Sequence, residues 1–294
     1  MNIPHKNASV VPKPDNSNLV KIVKGRNEHN QPVKVPVVTE IPLTIFLNKQ
    51  EIVTTMSLGD WPDYLAVGFL KNQNMLNDND IITGIDVDDD LGVVVVRTQR
   101  ETDYEEKMKK KIQTSGCAQG TQFGDMMDAV GNITLDPDAR IHTSAMMRLI
   151  KTINTMPSLY LSAGAIHGCV LAEGDNILAY IEDVGRHNAV DKIAGWMFSE
   201  GVGPEGKMLY TTGRLTSEMV IKTALMGIPV LASRSGFTAW GVEIARQVGL
   251  TLIGRMRGQR FICLSGEERL IRDADPASVA PEAKKHRRKS AGDT

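Results

Sequence analysis

Residues 208–254 read MLYTTGRLTSEMVIKTALMGIPVLASRSGFTAWGVEIARQVGLTLIG. Apolar runs at 208–212, 229–233 and 250–254 alternate with two stretches, 215–227 and 237–248, whose apolar positions recur at helical spacing. Short strands alternating with helices of about 10–15 residues predict a largely parallel, layered α/β domain. Working upstream, the pattern adds a helix at about 187–199, apolar stretches near 159–163, 166–172 and 177–182, and a helix from about Asp138 to Met156 behind Asp136-Pro137. Downstream it adds a strand at 260–264.

The N-terminal third has a different texture. The β-branched runs either side of Asn48-Lys49-Gln50 predict two strands and a hairpin, and Leu65, Val67, Phe69 and Leu70 behind Pro62 predict a helix. IITGIDVDDDLGVVVVRT, from Ile81, predicts two more strands around an acidic turn. Residues 104–124 pass from a charged helix-like stretch to the glycine-rich SGCAQGTQFG, which marks a junction and an exposed loop. The expected organisation is a flexible arm (1–34), a small β-rich domain (35–112), a mobile loop with Cys117 (113–124), a layered α/β domain (125–265) and a basic disordered tail (266–294).

The 294 residues carry 34 Lys+Arg against 35 Asp+Glu, a formal net charge of −1, which argues against nucleic-acid or anionic-membrane binding through bulk charge. No apolar run approaches the roughly 18 residues of a membrane span, and the N-terminus lacks a signal-like apolar stretch, so a cytoplasmic protein without membrane insertion is expected. Three widely spaced cysteines, Cys117, Cys169 and Cys263, favour neither a disulfide framework nor a four-cysteine zinc site.

Familiar motifs fail on inspection. An EF-hand loop from Asp86 would need glycine and glutamate where Leu91 and Arg97 stand. GVGPEGKM at 201–208 puts Met208 where a phosphate loop needs Ser or Thr. GxGxxG, HExxH, GxSxG and the zinc deaminase signature are absent, and no protein-ligated metal is expected.

What survives is a pattern at the strand ends. The expected strands run into EDVGRHNAVDK, TGRLTSE, SRSGFTAWGVE and RMRGQR, delivering Arg186, Arg214, Arg234, Arg255, Arg257 and Arg260 to equivalent positions. Ligands of open α/β sheets bind at the carboxyl ends of strands, beside helix N-termini, so several guanidiniums there predict a polyanion site. His187 with Asp191 and Asn188 with Lys192 are i, i+4 pairs, denser in polar groups than capping requires. His167 sits among small residues in SAGAIHGCVLA and reads equally as a site group or a satisfied core histidine. Cys169 and Cys263 lie in apolar runs and read as small core hydrophobes. Cys117, in a polar glycine-flanked loop downstream of Lys109, Lys110 and Lys111, has the exposure and positive surroundings a reactive thiol needs.

EDVGRHNAVDKIAG, TGRLTSEMVIKTALMGIPVLASRSGFTAWGVEIARQVGLTLIGRMRG and LAVGFL closely resemble the formate dehydrogenase accessory sulfurtransferase family, with similarity from about Val35 to Leu264. The resemblance implies a cytoplasmic maturation factor. It would accept persulfide sulfur from a cysteine desulfurase and pass it to the molybdenum bis(molybdopterin guanine dinucleotide) cofactor, its cargo, for the formate dehydrogenase apoenzyme. It also implies a second domain similar to the cytidine deaminase fold without its zinc site. By the same resemblance Cys117 is the persulfide carrier, and Arg255, Met256, Arg257, Gly258, Gln259 and Arg260 match the cofactor-binding stretch, although members commonly carry an aromatic residue at the position of Arg255. Arg186, His187, Asn188, Lys192, Arg214, Arg234 and His167 would complete the pocket, and a homodimer is a reasonable expectation. Many members carry C-x-x-C in the loop, whereas this chain has Gly120 at the second position, so a dithiol relay within the loop is unavailable. A single persulfide is chemically sufficient for transfer. The alternative is a non-catalytic chaperone that binds and presents the cofactor from the same pocket.

The charge is unevenly distributed. Residues 77–106 hold ten acids against Arg97 and Arg100, while residues 175–265 hold seven Arg and three Lys against eight acids, with six of those arginines at strand ends.

Overall fold

A computed structural model describes residues 10–77, 79–100 and 133–274, together with the backbone alone of 112–114 and 117–121. The fold is mixed α/β. In the N-terminal part, β1 (Val20–Arg26) and β2 (Pro32–Val38) form an antiparallel hairpin. Next, β3 (Ile41–Leu47), β4 (Gln50–Ser57), β5 (Ile82–Asp88) and β6 (Val93–Thr98) form a sheet of order β4-β3-β6-β5. The β3–β4 turn holds Asn48 at φ 56°, a left-handed conformation that asparagine tolerates better than most residues. Helix α1 (Pro62–Asn72) starts on its proline, where a missing N–H costs nothing, and packs Leu65, Ala66 and Leu70 against Ile45, Val94 and Val96.

The backbone of β7 (Ile112–Thr114) and β8 (Cys117–Thr121) pairs as a short ribbon, with Thr114 opposite Cys117. The side chain of Cys117 lies outside the described residues, as do residues 115–116 and 122–124 of the expected loop.

The larger part adds β9 (Ile141–His142), α2 (Thr143–Thr155), the short α3 (Leu159–Ser162), β10 (His167–Glu173), β11 (Asn176–Asp183), α4 (Arg186–Glu200), β12 (Lys207–Thr211), α5 (Ser217–Leu225), β13 (Val230–Ser233), α6 (Ala239–Gln247), β14 (Thr251–Arg257), β15 (Arg260–Ser265) and β16 (Leu270–Ile271). Six strands form one sheet of order β11-β10-β12-β13-β14-β15. Alternation along the strands separates two cores. Cys169, Leu171, Ile181, Leu209, Leu231 and Leu252 face α4, α5 and α6, while Val170, Ala172, Tyr180, Met208, Tyr210 and Ile253 face α2. Cys169 is fully buried, as expected, and burial pushes its thiol up to about 12.

Four expectations need correction. The sheet is not largely parallel: only β12–β13 and β13–β14 pair in parallel, and β10 and β15 run against their neighbours. Two-residue turns after Glu173 and Arg257 fold each strand back beside its predecessor, which permits only antiparallel pairing. The helix expected from Asp138 begins at Thr143, because Ile141 and His142 pair with β16 and Asp273 accepts the Ser144 N–H (2.9 Å) and the Thr143 hydroxyl (3.1 Å). For the same reason the tail does not begin at 266: residues 266–274 belong to the fold, and the basic stretch after them lies outside the described residues. The arm expected up to residue 34 contains β1 and the start of β2, and Val10 accepts the Tyr180 N–H at 2.7 Å. Cross-strand pairing of Val20, Ile22 and Val23 with Val38, Pro36 and Val35 outweighs the polar, proline-dotted composition.

The two parts are joined along α1 and α4. Their backbones approach so closely that a Cβ on Gly68 would overlap the Asp191 carbonyl, and one on Gly195 would overlap the Tyr64 carbonyl. Only glycine fits either crossing point.

Candidate functional site

Although β10 is reversed, β11, β12, β13 and β14 share one direction, so their carboxyl ends lie along one edge of the sheet. The start of β10 lies there too, with His167 opposite Asp183. Hydroxyl side chains at the strand ends shape the loops. Thr211 Oγ1 accepts the Gly213 N–H (3.1 Å), the Ser233 hydroxyl donates to the Gly213 carbonyl (2.6 Å), and Ser233 Oγ accepts the Ser235 N–H (2.9 Å). The Arg255 N–H then donates to the Ser235 carbonyl at 2.7 Å, tying the loop after β13 to β14. Each strand end is thereby held against the next, giving a rigid rim for the side chains above it.

The structure brings His167, Arg186, His187 and Arg214 together. Arg186 opens α4 and is half-buried beside Gly213, where a Cβ would stand 3.1 Å from the arginine's Cβ and Cδ. Burial, then the neighbouring Arg214 charge, lowers the Arg186 pKa. Burial and the charges of Arg186 and Arg214 likewise lower His167. His187 is buried, and its pKa is driven well below the usual histidine value by burial, then by Lys222, Arg186, His167 and Arg214. Its Nε2 lies 3.3 Å from Glu218 Oε2 without the alignment of a hydrogen bond.

Five buried side-chain polar atoms lack hydrogen-bond partners among the described residues: Arg186 Nε, His187 Nδ1 and Nε2, Thr216 Oγ1 and Gln259 Oε1. All five belong to the segments that follow β11, β12 and β14, at the same edge. Buried polar atoms are otherwise almost always paired, and an orphan costs on the order of 1–3 kcal/mol. Their concentration beside His167, Arg186, His187 and Arg214 makes this edge the candidate site.

The other expected site residues divide. Arg234 reaches the same rim, its guanidinium 5.3 Å from the Tyr160 ring centre. Arg255, Arg257, Gly258 and Arg260 are exposed on the β14–β15 hairpin, where Arg257 pairs with Arg260 and Gln259 occupies the turn. Three residues are corrected. Met256 is 3% exposed and packs in the core on the α2 face with Ile253, because the strand is irregular between Gly254 and Arg257, where Arg255 takes φ 54°, and this irregularity turns Met256 inward between exposed neighbours. Lys192 is fully buried and bonded to Asp60 (2.6 Å) and Asp183 (2.7 Å). Burial opposes its charge, but the two carboxylates more than offset that and leave its pKa raised. Asn188 donates to the Met56 carbonyl (2.7 Å) and to Asp183 (3.0 Å). Lys192 and Asn188 therefore tie α4 to the N-terminal part and do not face the rim.

The seam has further members that sequence reasoning missed. Asp183 also accepts the Ser57 hydroxyl (2.6 Å) and the Leu58 N–H (3.2 Å), while Asp191 accepts from Asn72 (2.7 Å) and Lys222 (2.8 and 3.0 Å). The Glu218–Lys222 spacing was a visible i, i+4 signal, but nothing in sequence joins Ser57 to a residue more than a hundred positions away. Glu182 was also missed. It accepts the Leu159 and Tyr160 N–H groups at 2.8 Å each, fixing the segment that carries Tyr160, and burial raises its pKa to about 7.

A three-layer α/β sheet with an arginine-lined strand edge, clamped to a small β-rich unit by buried ion pairs, defines the class of protein. The chain belongs to the FdhD/NarQ family, whose pattern it matches over residues 38–271. It is 31% identical to "Sulfur carrier protein FdhD" of Geobacillus kaustophilus (strain HTA426) over 257 residues, 85% of this chain and 95% of that protein. It is 30% identical to the protein of the same name from Listeria monocytogenes serotype 4b (strain F2365) over 243 residues, 82% of this chain and 93% of the other. Among solved structures, a formate dehydrogenase accessory protein from Desulfotalea psychrophila superposes with a TM-score of 0.69 at 26% identity, covering 86% of this chain and 98% of that one. No helix among the described residues is long and apolar enough to cross a membrane.

Proposed function

We propose that this protein is a sulfurtransferase. It carries persulfide sulfur on Cys117 from a cysteine desulfurase to the molybdenum bis(molybdopterin guanine dinucleotide) cofactor, in the cytoplasm, for delivery to formate dehydrogenase. The observation that carries the reading is the set of orphaned polar atoms on Arg186, His187, Thr216 and Gln259, grouped at a strand edge with the guanidiniums of Arg214, Arg234 and Arg255. A guanine dinucleotide fits that set of donors and acceptors. Its pyrophosphate suits the guanidiniums and the N–H groups at the start of α4, and its base and ribose offer polar atoms for Thr216 and Gln259. The names of the relatives support the sulfur-carrying half of the reading.

In the first transfer the Cys117 thiolate attacks the outer sulfur of the desulfurase persulfide, the S–S bond there breaks, and the desulfurase cysteine leaves as its thiolate. The outer sulfur on Cys117 is then delivered as a sulfane atom to the cofactor, which supplies the bonding electron pair, and the Cys117 thiolate is regenerated. The six-stranded layer with α4, α5 and α6 on one face also supports the cytidine-deaminase-like reading of residues 125–265.

The test is direct. After incubation with a cysteine desulfurase and cysteine, the peptide containing Cys117 should gain about 32 Da, reversible by thiol reductant. Cys117→Ala should abolish activation of formate dehydrogenase. No mass gain, together with full activation by Cys117→Ala, would contradict sulfur transfer and leave the rim as a cofactor carrier only.

A further inference from the structure

The rim sets a proton balance as well as a charge. We infer that binding of a polyanion at Arg186 and Arg214 is coupled to uptake of one proton by His187, which then closes an ion pair with Glu218. This rests on the reading of the strand edge as a polyanion site and adds a regulatory property to it.

The geometry is specific. His187 is the second residue of α4, its side chain is 10% exposed, and neither ring nitrogen has a hydrogen-bond partner among the described residues. A neutral imidazole buried with both nitrogens unpaired is an unstable arrangement unless something holds the proton away. The groups facing it supply the reason. Arg186 adjoins it on α4, Arg214 comes from the segment after β12, His167 from β10 and Lys222 from α5, and all four disfavour a further positive charge. Against them stands Glu218 on α5, with Oε2 3.3 Å from Nε2 and Oε1 3.9 Å from Lys222 Nζ. Lys222 is itself bonded to both oxygens of Asp191, so its ammonium is held by that carboxylate and not by Glu218 alone.

A polyanion on Arg186 and Arg214 offsets two of the opposing charges at once. The proton affinity of His187 then rises, and a small turn of the ring converts the 3.3 Å approach to Glu218 into a charged hydrogen bond. By linkage, the proton must tighten the ligand as much as the ligand tightens the proton. In the window between the unliganded and liganded pKa values of His187, affinity should therefore rise up to about tenfold for each unit fall in pH. Above the liganded value the dependence vanishes.

The probe should not titrate in that window, which excludes a nucleotide with a terminal phosphate. Guanosine diphosphate mannose, a diester, keeps both charges throughout and resembles the pyrophosphate of the cofactor. Calorimetric titration of the full chain in two buffers of different ionisation enthalpy, at steps between about pH 5 and pH 8, counts the protons taken up. The expected result is net uptake that approaches one proton per ligand, persists in His167→Gln and disappears in His187→Gln. Histidine ring NMR of the wild-type chain gives the same answer without a variant, as an upward shift of the His187 titration on addition of the probe. Binding with no proton uptake, uptake unchanged in His187→Gln, or an unmoved His187 titration overturns the coupling while leaving the polyanion site intact. Failure of the probe to bind at any pH removes both.

Discussion

At the seam between α1 and α4, Lys192 and Lys222 are buried and each is bonded to carboxylates at 3.0 Å or less. At the rim, within two turns of Lys192 on α4, Arg186 and His187 keep buried nitrogens without partners among the described residues. Both regions concentrate charge, but the first satisfies it internally and the second does not. Burial of an ion pair contributes little net stability against an apolar replacement, yet removing one partner is costly. The seam should therefore be intolerant of single substitutions. The rim, already tolerating orphans, should accept them with little structural consequence. Helix α4 thus carries both regions, with the division falling between His187 and Asn188.

The largest expected effect follows from the backbone contact itself. Gly68→Leu or Gly195→Leu must force α1 and α4 apart, and a loss of more than about 3 kcal/mol in urea unfolding, or failure to fold, is expected. Next comes Lys192→Met, which strands Asp183 and Asp60 and should cost about 3–5 kcal/mol by the same measurement. A fully tolerated Lys192→Met would break the distinction between seam and rim.

Glu182 sharpens the comparison by pH. Its pKa is raised from 4.5 to about 7, so the folded state binds a proton that the unfolded chain has released. Its contribution is complete below about pH 4.5 and is lost as pH rises toward 7, on the order of 2–3 kcal/mol. Glu182→Gln, which keeps one acceptor oxygen and sets a non-titrating amide at the other position, should remove that slope from unfolding midpoints measured at about pH 5 and pH 7.5. The smallest effect is expected at the rim: Arg214→Gln should change stability by no more than about 0.5 kcal/mol.

Much of this was legible from residues 208–254, because strand and helix periods there are clean and the glycine- and serine-rich turns fall between them. The arginine positions could be placed at one edge from sequence for the same reason. Direction could not be read as well. Gly174 and Asp175 close a hairpin that reverses β10, and an apolar run such as HGCVLA looks the same in either orientation. The fates of Asn188 and Lys192 were equally hidden. Their polarity was visible, but whether they meet a ligand or Met56, Asp60 and Asp183 depends on how a distant unit docks. Met256 shows a different lesson: Arg255 at φ 54° breaks the alternation that would have set Met256 on the face opposite Ile253, and no sequence signal marks that irregularity.

The central claim is that the rim's unsatisfied groups are completed by a guanine-nucleotide ligand while the seam is already complete. Calorimetric titration with guanosine diphosphate of the wild type and of Arg186→Gln/Arg214→Gln, with thermal melts run alongside, tests it most directly. The account predicts binding by the wild type, a loss of about a hundredfold in the double variant from two charge-assisted contacts, and unchanged melting in the absence of ligand. Equal affinity in the two proteins, or a double variant that unfolds as readily as Lys192→Met, would contradict it.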